Sequence, residues 1–126
     1  MSNEATINWN EAMKYVDGDQ EFLDEVLQDL LKEADAAEDD INDGLARNDF
    51  YKIGKAAHKV KGSALYLSCE NIARVSKYMQ NWGDDADKDP SLRTEYKKKI
   101  IAAFEEWKVY MRELRAEIAY HHGSRK

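Results

Sequence analysis

The stretch Ala56-Ala57-His58-Lys59-Val60-Lys61-Gly62-Ser63-Ala64-Leu65-Tyr66-Leu67 holds the residues best suited to chemistry. At 100° per residue, Ile53, Ala56, Ala57, Val60, Ala64 and Leu67 share one side of a helix. Tyr51, Gly54, Lys55, His58, Lys61, Gly62 and Leu65 share the other. The spacing therefore turns His58 away from the core, with an ammonium one turn along and a residue without a side chain beside it. An exposed neutral imidazole can attack phosphorus and hold a phosphoryl group covalently. Lys61, Lys55 and, more weakly, Lys59 would offset the added negative charge. A lone helical histidine is most often just solvated. Gly62 changes the weighing, because a mid-helix glycine costs ~1 kcal/mol relative to alanine. Its place on the histidine face points to a close approach by another molecule. No carboxylate set, metal cluster or glycine-rich nucleotide loop accompanies His58, so the chain is not expected to bind ATP or start the chemistry alone.

The elements that must position this stretch read as helices throughout. A short helix is predicted from about Asn8 to Val16, with Asn8 as N-cap and Trp9, Met13 and Val16 facing in. Gly18-Asp19 ends it. A second helix runs from about Gln20 to Ala46, with Phe22, Leu23, Val26, Leu27, Leu30, Leu31, Ala34, Ala37, Ile41 and Leu45 on its apolar side. Asn48 or Asp49 caps a third helix, about Phe50 to Ser68, which carries His58. A fourth is predicted from about Glu70 to Trp82, with Ile72, Val75, Met79 and Trp82 inward. Gly83 to Asp89 reads as a loop. Asp89-Pro90 reads as an N-cap and first turn, opening a last helix to about Ala119. Its stripe is Tyr96, Ile100, Ile101, Phe104, Trp107, Met111, Leu114 and Ile118. The expected fold is all-α, an up-down four-helix bundle with a short extra N-terminal helix. It is one domain with a core of about residues 8–119 and a tail at 120–126.

Bulk properties narrow the classes. The chain has 126 residues and a net charge of −6. That length suits one domain, and the charge argues against nucleic acid as a main partner. No apolar run reaches the ~20 residues of a membrane span. The start Met1-Ser2-Asn3-Glu4 shows no signal-peptide pattern. A single cysteine, Cys69, suits a reducing cytosol and reads as a packing residue. A cytoplasmic monomer is expected, with nuclear entry open in a eukaryote. Trp9, Trp82 and Trp107 read as core or boundary residues. His121 and His122 read as part of a frayed terminus without a third metal ligand. The acidic stretch Glu38-Asp39-Asp40 reads as a solvated helix face, and Asp84, Asp85 and Asp87 as a solvated loop. They lack the twelve-residue calcium-loop pattern.

His58-Lys59-Val60-Lys61-Gly62-Ser63-Ala64, followed by Leu67, resembles the signature of histidine-containing phosphotransfer (HPt) domains: His, any residue, an aliphatic, Lys, Gly, small residues, an aliphatic. Gly18-Asp19-Gln20-Glu21-Phe22-Leu23 is similar to that family's approach to its second helix. The resemblance spans about Asn8 to Met79. It implies that His58 carries the phosphoryl group, that Lys61 sits beside it, and that Gly62 leaves room for a partner. It also implies a phosphoryl carrier without ATP-dependent kinase activity, and receiver domains of response regulators, or a hybrid histidine kinase, as partners. No intrinsic cofactor is implied, and magnesium is expected on the receiver. Tyr51, Gly54, Lys55, Lys59 and Leu65 become the docking residues around His58. A contribution from the second helix is expected near Gln20 to Asp24. Two positions depart from the pattern: Ser68 where glycine is common, and Met79-Gln80 where a Leu-Glu pair is common. A non-catalytic receiver-binding module is the alternative reading. The Met1 start favours a stand-alone protein, with a domain of a larger hybrid kinase left open.

Overall fold

The structure is a computed structural model that describes residues 6–124. Five α-helices follow one another: α1 (Trp9–Tyr15), α2 (Gln20–Arg47), α3 (Phe50–Tyr66), α4 (Glu70–Lys88) and α5 (Arg93–Ser124), with a 3-10 turn at Pro90–Leu92 before α5. No strand occurs among the described residues. α3 packs against α2 and α4, α4 packs against α5, and lighter contact between α2 and α5 closes the bundle. Each short connection reverses the chain, as an up-down topology requires. α1 lies against α2 as the extra helix.

Local chemistry sets the helix starts. The side chains of Asn8, Asp19 and Asp49 accept from the backbone N–H groups of Glu11, Phe22 and Lys52. Each satisfies one of the donors that a helix N-terminus leaves unpaired. α2 ends at Asn48, a left-handed residue with φ 56°, whose N–H returns to the Gly44 carbonyl. The α3–α4 connection turns at Ser68, also left-handed at φ 59°. A glycine would adopt that conformation without strain, which accounts physically for glycine being common there.

The core is continuous. Leu23, Leu27, Leu30, Ile41, Phe50, Ile53, Val60, Ile72, Met79, Ile100, Trp107 and Leu114 are all buried. The Trp107 Nε1–H donates to Ser76 Oγ at 3.1 Å, so two buried polar groups satisfy each other. Trp9 and Trp82 pack at the core boundary. Cys69 is fully buried. Phe22 and Ile101, placed inward by the periodicity, stay 44% exposed because they sit at the edges of their stripes.

Two segments depart from the sequence expectation. The predicted loop from Gly83 to Asp89 is the last part of α4, which runs on to Lys88. Gly83 and Ala86 are buried there, while Asp85, Asp87 and Lys88 face solvent. α5 does not fray at Ala119 but continues to Ser124. His121 stacks on Trp9 with ring centroids 4.0 Å apart, and its Nε2 lies 3.4 Å from Gln20 Oε1. Those contacts tie the end of α5 to α1 and α2.

Candidate functional site

α3 crosses the middle of the bundle with one stripe packed on both neighbouring helices. Phe50, Ile53, Ala56, Ala57, Val60 and Ala64 are buried on it. The opposite stripe is open: Tyr51, Lys55, His58, Lys59, Gly62 and Leu65 are exposed, and Lys61 is half-buried. His58, Lys59 and Lys61 make no hydrogen bond or ion pair with other described residues. A Cβ added at Gly62 would meet nothing within 4 Å. No packing among the described residues therefore explains a glycine at that position.

Gly54 is different and corrects the expectation that it borders the histidine as a docking residue. It is buried, and an added Cβ would collide with the Asp84 carboxylate. At Gly83 an added Cβ would lie 2.9 Å from the Gly54 nitrogen and 3.1 Å from its Cα. The two glycines let α3 and α4 touch backbone to backbone. Gly54 lies on the flank of α3 toward α4, next to the open face rather than on it.

That contact also fixes the antiparallel register of α3 on α4. Four residues on from Gly54 is His58, and four back from Gly83 is Met79. The turn of α4 level with His58 thus carries Met79, fully buried, and Gln80. Gln80 Oε1 is buried and accepts no hydrogen bond from the described residues. Sequence reading noted Gln80 only as a departure from a family pattern. Its burial without a partner is visible only in three dimensions.

The cations of α3 divide into two groups. Lys52 Nζ lies 2.8 Å from Asp43 Oδ2 and 3.9 Å from Asp40 Oδ1. The hydrogen bond with Asp43 raises the Lys52 pKa, and the same bond lowers that of Asp43. Lys52 is thus engaged with α2. Lys55 lies with its Nζ 5.9 Å from the centre of the Tyr51 ring, and Lys55, Lys59 and Lys61 form no ion pair with the described residues. Unpaired cations beside an unpaired imidazole suit an anion that arrives with a partner.

Gln20 and Asp24, which bound the α2 stretch expected to contribute, lie at the α1 end of the bundle. Gln20 Nε2 donates to Asp24 Oδ1 and its Oε1 faces His121. The α2 residues alongside Gly62 are Val26, Asp29, Leu30 and Glu33. Glu33 accepts from Ser63 Oγ at 3.1 Å. Two further apolar groups lie near the C-terminal end of α3: exposed Leu65 and the Tyr66 ring, which contacts Tyr15 of α1 at 4.8 Å between centroids.

Among the described residues, no group of three His, Cys, Asp or Glu side chains could hold a metal ion. Nor is any helix among them long and apolar enough to cross a membrane. Comparison with curated proteins gives no match. The family model of the Hpt domain, however, matches residues 25–118. That span takes in α3 with His58, Lys61 and Gly62, and most of α2 and α5 around it. A helical bundle that displays this histidine outward, matched over three quarters of its length, belongs to the Hpt domain family, the histidine-phosphotransfer modules of phosphorelays.

Proposed function

We propose that this protein is a phosphorelay intermediate in which His58 accepts a phosphoryl group from a receiver-domain aspartate and passes it to another receiver. The observation that carries the reading is the open stripe of α3. It joins an exposed imidazole, ammonium groups without ion pairs and a glycine beside which nothing packs among the described residues.

In the accepting step a lone pair on an imidazole nitrogen of His58 attacks the phosphorus of the aspartyl phosphate. An N–P bond forms as the P–O bond to the aspartate breaks, and the carboxylate leaves with the electron pair. The reverse exchange loads the next receiver. Lys61, one turn from His58, sets a positive charge near the incoming phosphoryl oxygens. Gln80, on the α4 turn level with His58, offers a carbonyl oxygen to the imidazole N–H that does not react. Such a bond would fix the tautomer with its lone pair outward. The divalent cation that balances charge on the phosphoryl group belongs to the receiver in this reading. Tyr51, Lys55, Lys59 and Leu65 surround His58 as the docking surface. Because the bundle supplies a positioned nucleophile and little else, transfer is rapid only in the complex.

The test is to mix the protein with a phosphorylated receiver domain and magnesium and to follow intact mass. One phosphoryl group should be gained, labile to acid, and absent from His58→Gln. That variant should keep the wild-type helical spectrum and lie within about 0.5 kcal/mol of wild-type stability, as for other exposed positions. Binding of several receivers without any adduct would instead favour the non-catalytic docking module.

A further inference from the structure

Apart from Lys61, which the phosphorelay reading assigns to the phosphoryl group itself, the unpaired charges along the seam between α2 and α3 differ in sign on the two sides of His58. Toward the C-terminal end of α3 the seam opens into a groove between Val26, Asp29 and Glu33 of α2 and Gly62, Ser63 and Tyr66 of α3. Val26 and Tyr66 give it apolar walls. Glu33 is held by Ser63, and Asp29 is exposed without an ion pair to any described residue. Toward the N-terminal end a second groove is lined by Tyr51, Lys52, Lys55 and Lys59, with Asp40 and Asp49. The carboxylates there are engaged: Asp49 caps α3 and Asp40 faces Lys52. Lys55 and Lys59 remain as exposed cations. The pairs Lys52–Asp43 and Ser63–Glu33 bracket His58 along the seam.

A docking surface of one sign attracts a partner without fixing its rotation. A surface whose sign reverses across the reacting atom does both, because the wrong rotation sets like charges together. We infer that the α2–α3 seam orients the docked receiver: a cationic side chain of the receiver seats between Asp29 and Glu33 over Gly62, and an anionic part of its surface meets Lys55 and Lys59. The missing Cβ at Gly62 leaves space for that side chain. Its aliphatic stem would lie along Val26 and Tyr66 with the charge at the carboxylates. This inference rests on the phosphorelay reading and adds to it the charge layout of the partner.

Two variants on the intact protein test it: Asp29→Lys/Glu33→Gln and Lys55→Glu/Lys59→Glu. The probe is a receiver domain charged by acetyl phosphate and selected because it transfers to the wild type. Both variants should lose about tenfold in kcat/KM, mainly through KM, and show a weaker salt dependence. A simple net-charge effect would move them in opposite directions, since one gains positive and the other negative charge. Opposite shifts, or either variant within about twofold of wild type, would overturn the inference. The milder Asp29→Asn and Lys59→Gln should each lower transfer by a few-fold, which guards against a fold defect in the double variants. Phosphoramidate, a small donor that needs no docking, tests the underlying reading separately on the wild type. Labelling of His58 by phosphoramidate combined with unchanged transfer to both double variants would reject the seam alone. No labelling of the wild type by phosphoramidate or by any receiver screened for selection would reject the phosphorelay reading and the seam with it.

Discussion

At the scale of single residues, Gly62 separates stability from recognition. Glycine inside a helix is unfavourable, and an added Cβ here meets nothing among the described residues. Gly62→Gln should therefore stabilise the bundle by ~0.5–1 kcal/mol, measured as a higher urea midpoint. The same side chain would occupy the space beside His58 that the partner needs, so phosphoryl transfer from a receiver should fall by at least about tenfold. A variant that is more stable and equally fast would remove the close-approach argument. The placement of His58, Lys61 and Gly62 on the outward side of α3 was legible from sequence because it follows from helical phase alone. Gly54 was not, although it shares that phase within the resolution of a helical wheel. Its neighbour across the interface, Gly83, lies 29 positions away in sequence, and only packing brings the two together.

At the scale of elements, α4 shows why the predicted loop failed. Gly83-Asp84-Asp85-Ala86-Asp87-Lys88-Asp89 has the composition of a turn, and helix propensity disfavours it. Burial of Gly83 against Gly54, and of Ala86 in the core, overrides that local preference. Asp85, Asp87 and Asp89 face water, and Asp84 lies half-buried against Gly54. The prediction follows that Gly83→Ala, favourable by propensity, destabilises the protein. Its Cβ would press on the Gly54 backbone and lie 3.1 Å from the Phe50 carbonyl oxygen. Overpacking of this kind costs about 1–3 kcal/mol, and the ~1 kcal/mol gain in propensity offsets only part of it. Thermal unfolding should show a lower midpoint, and His58 should respond to phosphodonors differently because α3 has shifted. The α3–α4 turn predicts the opposite sign. Ser68 is a non-glycine residue at positive φ, a conformation that costs roughly 1–2 kcal/mol for residues with a Cβ. After the extra chain entropy of glycine, Ser68→Gly should stabilise by about 0.5–1 kcal/mol. The helix count and order were readable from periodicity, because the apolar stripes are long. The exact ends at Lys88 and Ser124 were not, because contacts from other helices set them.

At the scale of the whole molecule, two parts of α3 have different tasks. Its middle carries the open face with His58, while its C-terminal turn leads into an end of the bundle tied by several contacts between distant parts of the chain. There the Glu117 carboxylate accepts from the Thr6 N–H at 2.7 Å, Trp9 stacks on His121, and the Asn8 N–H donates to the Ser68 carbonyl. Cys69 lies beneath these contacts. Burial, and secondarily the Glu117 charge, push its thiol pKa up from 9.0 to about 12. An unfolded chain would release that proton near pH 9, whereas the folded chain keeps it. Between those values the native state binds more protons than the unfolded one, so stability falls as pH rises. The loss is at most ~1.4 kcal/mol per pH unit and levels off near the folded pKa. Below pH 9 the thiol is neutral in both states and contributes no slope. Lys52 and Tyr110, whose pKa values are also raised, act in the same direction, so the wild-type slope alone does not isolate the thiol. Cys69→Ala does. Urea unfolding of both proteins at pH 7.5 and at pH 10.5 should show the variant less stable at the lower pH, where it lacks a buried sulfur. The gap should narrow by about 1–2 kcal/mol at the higher pH, where only the wild type retains a proton that its unfolded state has lost. A gap of constant size would mean that Cys69 is solvated enough to ionise in the fold, and that this end of the bundle opens more readily than its contacts imply.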